Sequence, residues 1–311
     1  MKKKYIIGGG ISGLVFQFYH PEYVIITPDV GGLFRNAYLA IIHDTSETRR
    51  FLTDLGYENV DKLAKKSYIG YYHGGWIKEI LSPELNLLVI QKKMAEWNKP
   101  IDLEFRPDTF DMSTSKSVNY FKTLNVDPGE VVEKLKAKSG DILEGKVTHI
   151  DDETITYQDL DGTEHILQYD SIISTVAAPI FWKLYGKEKE FSFTPITNII
   201  SDYRPNLFND KFDSVYYDDS VPYSRITHLT KEYAIEVTGN MSDEEIKQHF
   251  PNILVKSIVR VPYGRISKSL DNSPPNRNIT FLGRFAKWEY GITLEHVIKD
   301  VLEFKGVDEA G

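Results

Sequence analysis

The sequence predicts an α/β chain with two interleaved lobes, and three observations predict it. An apolar strand runs through a glycine-rich turn into a short apolar segment at the N-terminus, "KKYIIGGGISGLVFQF". Strand-like runs then alternate with helix-period runs over most of the chain. No low-complexity linker cuts the series, so the lobes share the chain by interleaving. With 311 residues the chain exceeds what one small core needs. The expected division is one α/β domain from 1–70, 125–180 and 266–311, and a mixed α+β lobe from 71–124 and 181–265.

Taken in order, Tyr5–Ile7 reads as a buried strand, Ile11–Tyr19 as a short helix stopped by Pro21, and Tyr23–Thr27 as a second strand. Asp44 stands three residues before Glu47, which predicts a capped helix over Ser46–Leu55 ended by Gly56. Ser82-Pro83 predicts another helix start. The stretch "FRPDTFDMSTSKSVNYFKTLN" has weak periodicity and is expected to be loop or irregular edge. Asp127-Pro128 with Glu130 caps a helix ending at Gly140. "GKVTHI", "ETITYQ" and "EHILQYD" alternate with period two, and Asp161-Gly162 turns the last pair as a hairpin. "SIISTVAAP" reads as a central buried strand. Short strand patterns over 181–265, among them "SVYYDD" and "YAIEVTG", predict a second sheet. "NITFLG" is one more strand and "ITLEHVIKDVLEF" a closing amphipathic helix.

Bulk properties exclude several functions. The net charge of −8 argues against broad duplex nucleic-acid binding, which needs a basic face. It leaves room for a small anionic substrate held by a few arginines. Without cysteine there are no disulfides, thiolate nucleophiles or zinc–thiolate sites, and no metal is expected. The apolar run in "MKKKYIIGGG" is too short for a signal peptide, and no run approaches the ~18 apolar residues of a membrane span. These features predict a cytoplasmic protein with a small-molecule partner. The oligomeric state is not legible.

Gly8, Gly10 and Gly13 match the spacing G-x-G-x-x-G between a strand and a helix, and Ile11 and Ser12 open that helix. The first glycine permits the tight turn, the second lets backbone approach a pyrophosphate, and the third packs helix on strand. The helix N-terminus then faces the anion. The pattern predicts a Rossmann-like dinucleotide site. An acidic residue at the end of the second strand usually takes the ribose hydroxyls. Here Thr27 stands at that end and Asp29 follows in the loop, so either the carboxylate or the hydroxyl serves. A second pair, Gly31-Gly32, follows at once, then Leu33-Phe34-Arg35. A nicotinamide fold does not need a second glycine pair there.

The chain resembles the FAD-dependent group of amine oxidases, protoporphyrinogen oxidases and UDP-galactopyranose mutases. The carrying segments are "VGGLFRNAY", "DPGEVVEKLKAKSGDILEGKVTHID", "YDSIISTVAAP" and "NITFLGRFAKWEYGITLEHVI". The resemblance implies a glutathione-reductase-type FAD domain with FAD as cofactor. It implies Gly31, Gly32, Leu33 and Phe34 beside the cofactor, a backbone contact from Val147 to adenine, and Thr175 and Ala177 near it. It implies Gly283 and Arg284 at the ribityl, Trp288 and Tyr290 near the flavin ring, and Gly291, Ile292 and Thr293 at a helix start facing it. Reduced flavin carries negative charge there, which a helix dipole stabilises.

"SVYYDDSVPYSRITHL" resembles a mutase stretch whose arginine contacts the substrate pyrophosphate. That implies Arg225, with Tyr223, Tyr217 and Trp288, in a substrate site for a phosphate-bearing molecule. The alternative for Arg225 is an ion pair. Arg260 and Arg265 are expected to be hinge and surface charges, with a contribution to an anion site as the alternative. "LAIIHDT" aligns His43 with a flavin-side histidine, equally readable as a helix-cap neighbour. The catalytic candidates besides the flavin are therefore Tyr290, Trp288 and His43. The resemblance implies an FAD-dependent oxidoreductase acting on a small polar substrate, an amine or a nucleotide-linked sugar. Its alternative is a mutase-like isomerase in which reduced flavin attacks the sugar and no net oxidation occurs.

Overall fold

The computed structural model describes residues 3–36, 42–72, 75–76, 118–202, 204, 214–217, 223–229, 232–266, 272–289 and 291–305. Two compact units divide the chain. The first comprises Met1–Asp61, Leu124–Ser192 and Ser267–Gly311; the second comprises Lys62–Thr123 and Phe193–Ile266.

In the first unit β1 (Lys3–Ile7), α1 (Ile11–Tyr19) and β2 (Tyr23–Thr27) form the opening β-α-β unit. Strand β6 (Ile142–Ile150) runs parallel to β2 through Ile142–Glu144, then pairs antiparallel with β7 (Thr154–Asp159) from Gly145 onward. Strand β8 (Glu164–Ser174) does the reverse. Its first residues pair with β7, and Tyr169–Ser174 run parallel to β1. The stretch expected as a separate strand, Ser171 onward, is therefore the end of β8. Strand β14 (Ile279–Phe281) adds to the far side of β8. The parallel layer thus reads β6-β2-β1-β8-β14, and the β6-β7-β8 meander extends from its long strands.

One face of this layer is covered by α1, by α3 (Pro128–Lys138) and by α7 (Leu294–Glu303). Ile6, Ile25 and Ile173 of the sheet pack there with Leu14, Phe16, Val131, Leu135, Val297 and Val301, a single apolar cluster. A short helix, α4 (Ala178–Leu184), belongs to the same unit; its buried Phe181 sits edge-on to Phe281 at 4.8 Å between ring centroids. For that reason the first unit continues to Ser192, past the expected 180. Helix α3 starts as read: the Asp127 carboxylate accepts from the Glu130 amide at 2.8 Å, with Pro128 in the first turn.

Helix α2 (Ser46–Asp54) starts differently from the expectation. Its cap is Thr45, not Asp44. The Thr45 hydroxyl accepts from the Thr48 amide at 3.2 Å, and the Thr48 hydroxyl accepts from the Thr45 amide at 3.0 Å. Asp44 instead pairs with Arg49.

The second unit holds a sheet ordered β13-β9-β12-β11-β10-β3-β4, with β5 paired to β3. Its strands are β3 (Lys62–Tyr72), β4 (Gly75–Trp76), β5 (Val118–Leu124), β9 (Phe193–Ser201), β10 (Ser214–Tyr217), β11 (Arg225–Leu229), β12 (Glu232–Thr238) and β13 (Val255–Ile266). Strand β3 was not expected, and it moves the first boundary from 70 to Asp61. Strand β5 corrects the loop expected over the end of that irregular stretch. The helix expected from Ser82 lies outside the described residues. Ile199, Ile226, Ile235 and Val237 make one face of the sheet apolar, under Ile246 of α5 (Asp243–His249) and Phe250. Directly paired residues share a face. On the opposite face the register places Arg225, Glu236 and Asn198 side by side. Among the described residues no helix is long and apolar enough to cross a membrane.

Replacing Thr45 by Ala removes the side-chain half of the reciprocal cap. We expect a loss of about 1 kcal/mol, read as a lower urea midpoint with unchanged slope.

Candidate functional site

The site of the first unit is assembled where backbone touches backbone. After β1 the chain turns at Gly8, with φ of 103°. A Cβ on Gly13 would lie 2.2 Å from the Gly8 carbonyl oxygen, so helix α1 can sit this close to the turn only with glycine at 13. The Thr175 amide donates to the Ile7 carbonyl at 2.9 Å, and its hydroxyl donates to the Gly8 carbonyl at 2.9 Å. Thr175 thus buttresses the first glycine from below the turn.

The second glycine pair lies directly on the first. The Gly31 amide donates to the Gly9 carbonyl at 2.7 Å, and Gly10 and Gly31 form a parallel bridge. A Cβ on Gly32 would approach the Gly10 Cα to 3.4 Å. From Gly32 a 3₁₀ turn runs to Asn36, with Leu33 exposed and Phe34 packed on the core. The far end of the chain arrives at the same place. Gly283 has φ of 87°, and a Cβ there would lie 2.4 Å from the Ser12 hydroxyl oxygen. The turn after β14 therefore rests on the first turn of α1. Three segments, around residues 8–13, 31–32 and 283, meet at one helix start.

That helix start fits a pyrophosphate. Gly10 is the cap residue of α1, the first turn carries no carboxylate, and no side chain caps it. The first intrahelical bond is Leu14 amide to Gly10 carbonyl, so the preceding amides are not used within the helix. Gly10 itself has ordinary dihedrals, φ −71° and ψ 179°, and a Cβ there meets no atom within 4 Å. Nothing in the described chain demands glycine at this position, whereas an anion drawn close to the backbone would.

The ends of the other strands follow. Thr27 is buried, and its hydroxyl donates to the Asp29 carbonyl at 2.7 Å. The hydroxyl is thus engaged in the turn, while the Asp29 residue is exposed. Val147 is buried on β6, three residues beyond Glu144, the residue that pairs with Thr27 at the end of β2. Gly291 and Ile292 precede Thr293, the cap of α7, and Ile292 packs on the core. Arg284 opens α6 (Arg284–Lys287) with its guanidinium 5.5 Å from the centre of the Phe285 ring. Tyr290 lies outside the described residues.

Trp288 was expected at a ligand. It is wholly buried, adopts a left-handed conformation with φ of 54°, and meets Phe191 at 4.9 Å. His43 is tied to the start of α7: its Nδ1 lies 2.7 Å from the Glu295 carboxylate. Burial by itself would raise the Glu295 carboxyl. Hydrogen bonds from His43 and Thr293 and from its own backbone amide outweigh that and bring it to about 2. His43 is thus a fixed partner of a first-turn carboxylate, a pairing with a residue 252 positions away that no local signal announces.

In the second unit Arg225 is bonded to Glu236 at 2.6 Å, and Arg265 is bonded to the other oxygen of the same carboxylate. Ser224 adds a contact at 3.2 Å. Glu236 is buried; desolvation would raise its carboxyl, but Arg225 and Arg265 hold it below the usual range. The expectation that Arg265 is a hinge or surface charge is corrected: it is largely buried and belongs to this cluster. Arg260 is the exposed one, paired with Asp243. Tyr223 packs beside Phe250, 6.1 Å between rings, at the apolar cluster of this unit. The side chain of Tyr217 lies outside the described residues. Glu236 was missed; the signal available was one charge at an alternate position of "YAIEVT", in line with Ala234.

No protein-family model and no curated protein matches the chain. Solved structures do match it. A reduced UDP-galactopyranose mutase aligns over 97% of this chain and 93% of its own, with 14% identity and a TM-score of 0.64. An oxidoreductase from Methanosarcina mazei aligns over 96% and 99%, with 13% identity and a TM-score of 0.56. An L-α-glycerophosphate oxidase from Mycoplasma pneumoniae with FAD bound aligns over 98% and 95%, with 12% identity and a TM-score of 0.53. The chain has the fold of FAD-binding oxidoreductases. Within that flavoenzyme fold the glycine turns of the first unit stand at the C-terminal ends of the parallel strands, where such sheets bind nucleotides.

Gly283→Ala meets both a left-handed backbone and the Ser12 side chain, and we expect a loss of roughly 2–3 kcal/mol in thermal denaturation. Pairing it with Ser12→Gly is expected to recover the contact part only. Glu295 has a folded pKa below its ordinary 4.5. Its stabilisation is therefore complete above about pH 4.5 and is lost as pH falls toward 2, on the order of 3 kcal/mol in all. In Glu295→Gln the stability–pH curve between those values is expected to be flatter than in the parent.

Proposed function

We propose that this chain is an FAD-dependent oxidoreductase. Its FAD domain is the first unit and its substrate lobe the second. The single observation that carries this is Gly10, a glycine with ordinary dihedrals and open space at its Cβ, at the focus of three converging turns. In this reading the Gly10–Gly13 amides and the dipole of α1 hold the pyrophosphate, and Gly31 and Gly32 bring a second stretch of backbone against it. Asp29 takes the ribose hydroxyls, because the Thr27 hydroxyl is engaged in the turn. Val147 offers backbone to the adenine, and Gly283 and Arg284 stand at the ribityl chain. The start of α7, with Gly291 and Ile292, faces the flavin ring. Bound FAD supplies two-electron transfer. The residues of this chain bind it, orient it and set the charge around it.

The substrate in this reading is small and polar, an amine or a nucleotide-linked sugar. Arg225 supports a phosphate-bearing molecule, since a planar guanidinium suits a bidentate grip on phosphate. A second reading, a mutase-like isomerase working with reduced flavin, is favoured by the likeness to the reduced mutase across nearly the whole of both chains. The two readings part under anaerobic reduction with dithionite. Activity only after reduction, giving a product of unchanged mass, supports the isomerase; substrate-dependent bleaching of oxidised flavin supports the oxidoreductase.

Gly10→Val tests the cofactor reading directly. A Cβ at this position meets no atom within 4 Å, so thermal stability without FAD is expected to fall only by the roughly 1 kcal/mol by which valine is the poorer cap residue. FAD affinity, titrated by flavin fluorescence, is expected to fall at least about tenfold, or ~1.4 kcal/mol. A variant that binds FAD as the parent does would remove the pyrophosphate from this turn.

A further inference from the structure

The polar face of the second unit's sheet is built at a cost that its own fold does not return. Glu236 is 2% exposed, and Arg225 and Arg265 converge on its two oxygens. Burying such a cluster is expensive, and apolar residues of similar volume usually hold a sheet as well or better. Beside it, in direct register with Glu236, stands Asn198. Asn198 is 5% exposed, and its Oδ1 accepts no hydrogen bond from any described residue. The hydroxyls of Thr238 and Ser257 are also buried without a partner among the described residues. Thr238 lies two residues along β12 from Glu236. Ser257 pairs with Ile200, two residues along β9 from Asn198. The register therefore puts all three orphans on the face that carries the ion cluster. An unsatisfied buried polar group costs about 1–3 kcal/mol, so three on one face of one sheet call for a partner from outside.

We propose that this face binds a small molecule carrying an oxyanion beside a hydroxyl or ammonium group. Glu236 aims the guanidinium groups of Arg225 and Arg265 at the oxyanion, and Asn198 takes the neighbouring donor. Glu236 is a positioning residue, since it acts through the two arginines. Arg265 and Asn198 are specificity-determining residues that the flavoenzyme reading did not include. The site lies wholly within the second unit and stands whether or not the first unit holds FAD.

The oxyanion has two sources, a carboxylate or a phosphate, and the test separates them. Thermal denaturation of the FAD-saturated full chain is followed with glycolate, glycine or inorganic phosphate at about 10 mM, with acetate as the control that lacks the neighbouring donor. At least one of the three probes is expected to raise Tm more than acetate does. A response to glycolate or glycine marks a carboxylate ligand, and a response to phosphate alone marks a phosphate ligand. Asn198→Leu is nearly isosteric and removes the orphaned Oδ1, so it is expected to keep or raise Tm without probe. It is expected to cut the probe-induced shift by about half or more. Arg265→Lys keeps the charge and loses the fork, and it is expected to cut the shift as well, which keeps the test readable if one variant folds poorly. No shift with any probe in the parent, or a full shift retained in both variants, overturns the proposal. Flavin absorbance, recorded in the same samples, reports the cofactor site separately.

Discussion

Close approach of chain segments at glycines is the constraint on which the first unit depends. Helix α1 approaches β1 closely enough that Gly13 faces the Gly8 carbonyl. The Gly31 amide reaches the Gly9 carbonyl, and Gly283 rests on Ser12. The contacts at Gly13 and Gly283 each require a missing Cβ, and together the three bring residues from both ends of the chain to one helix start. The consequence is electrostatic. The first-turn amides of that helix, which make no bond within it, and the helix dipole face the converging glycine turns, a setting that suits an anion such as a pyrophosphate.

The same helix-end logic recurs at α7, with a charge of opposite consequence. Glu295 in its first turn is held by His43 from the segment before α2. A carboxylate near a helix N-terminus is favoured by the dipole, and the histidine fixes its direction. The pair ties the start of α7 to the chain segment after the second glycine turn, so the two stretches expected beside the flavin are fastened to each other by a hydrogen bond as well as by packing.

The second unit solves a different problem. Its sheet has one apolar face under α5, which accounts for its stability in the ordinary way. The other face carries a buried carboxylate between two guanidinium groups and a row of buried polar side chains. In a sheet selected for stability alone this arrangement is a poor choice. It makes sense as a recognition surface, where unsatisfied groups in the free protein become satisfied by a ligand and so discriminate against molecules that lack the matching groups.

The sequence by itself determined those features whose physics is local. The opening β1-α1-β2 unit, the cap of α3 at Asp127, the hairpin at Asp161-Gly162 and the helix after Thr293 are written in glycine spacing, capping residues and periodicity, which act within a few residues. The placement of Gly8, Gly10 and Gly13 in a strand-to-helix turn was legible for the same reason. Tertiary structure alone decided the rest. Period-two alternation says which side of a strand faces inward but not which strand lies beside it, so the dual pairing of β6 and β8 was invisible. Asp44 and Thr45 offer equivalent capping chemistry, and the Arg49 partner of Asp44 decided between them. Glu236 meeting Arg265, and His43 meeting Glu295, join residues far apart in the chain. Such pairs depend on how the strands and helices stack, and stacking is settled only when the whole core closes.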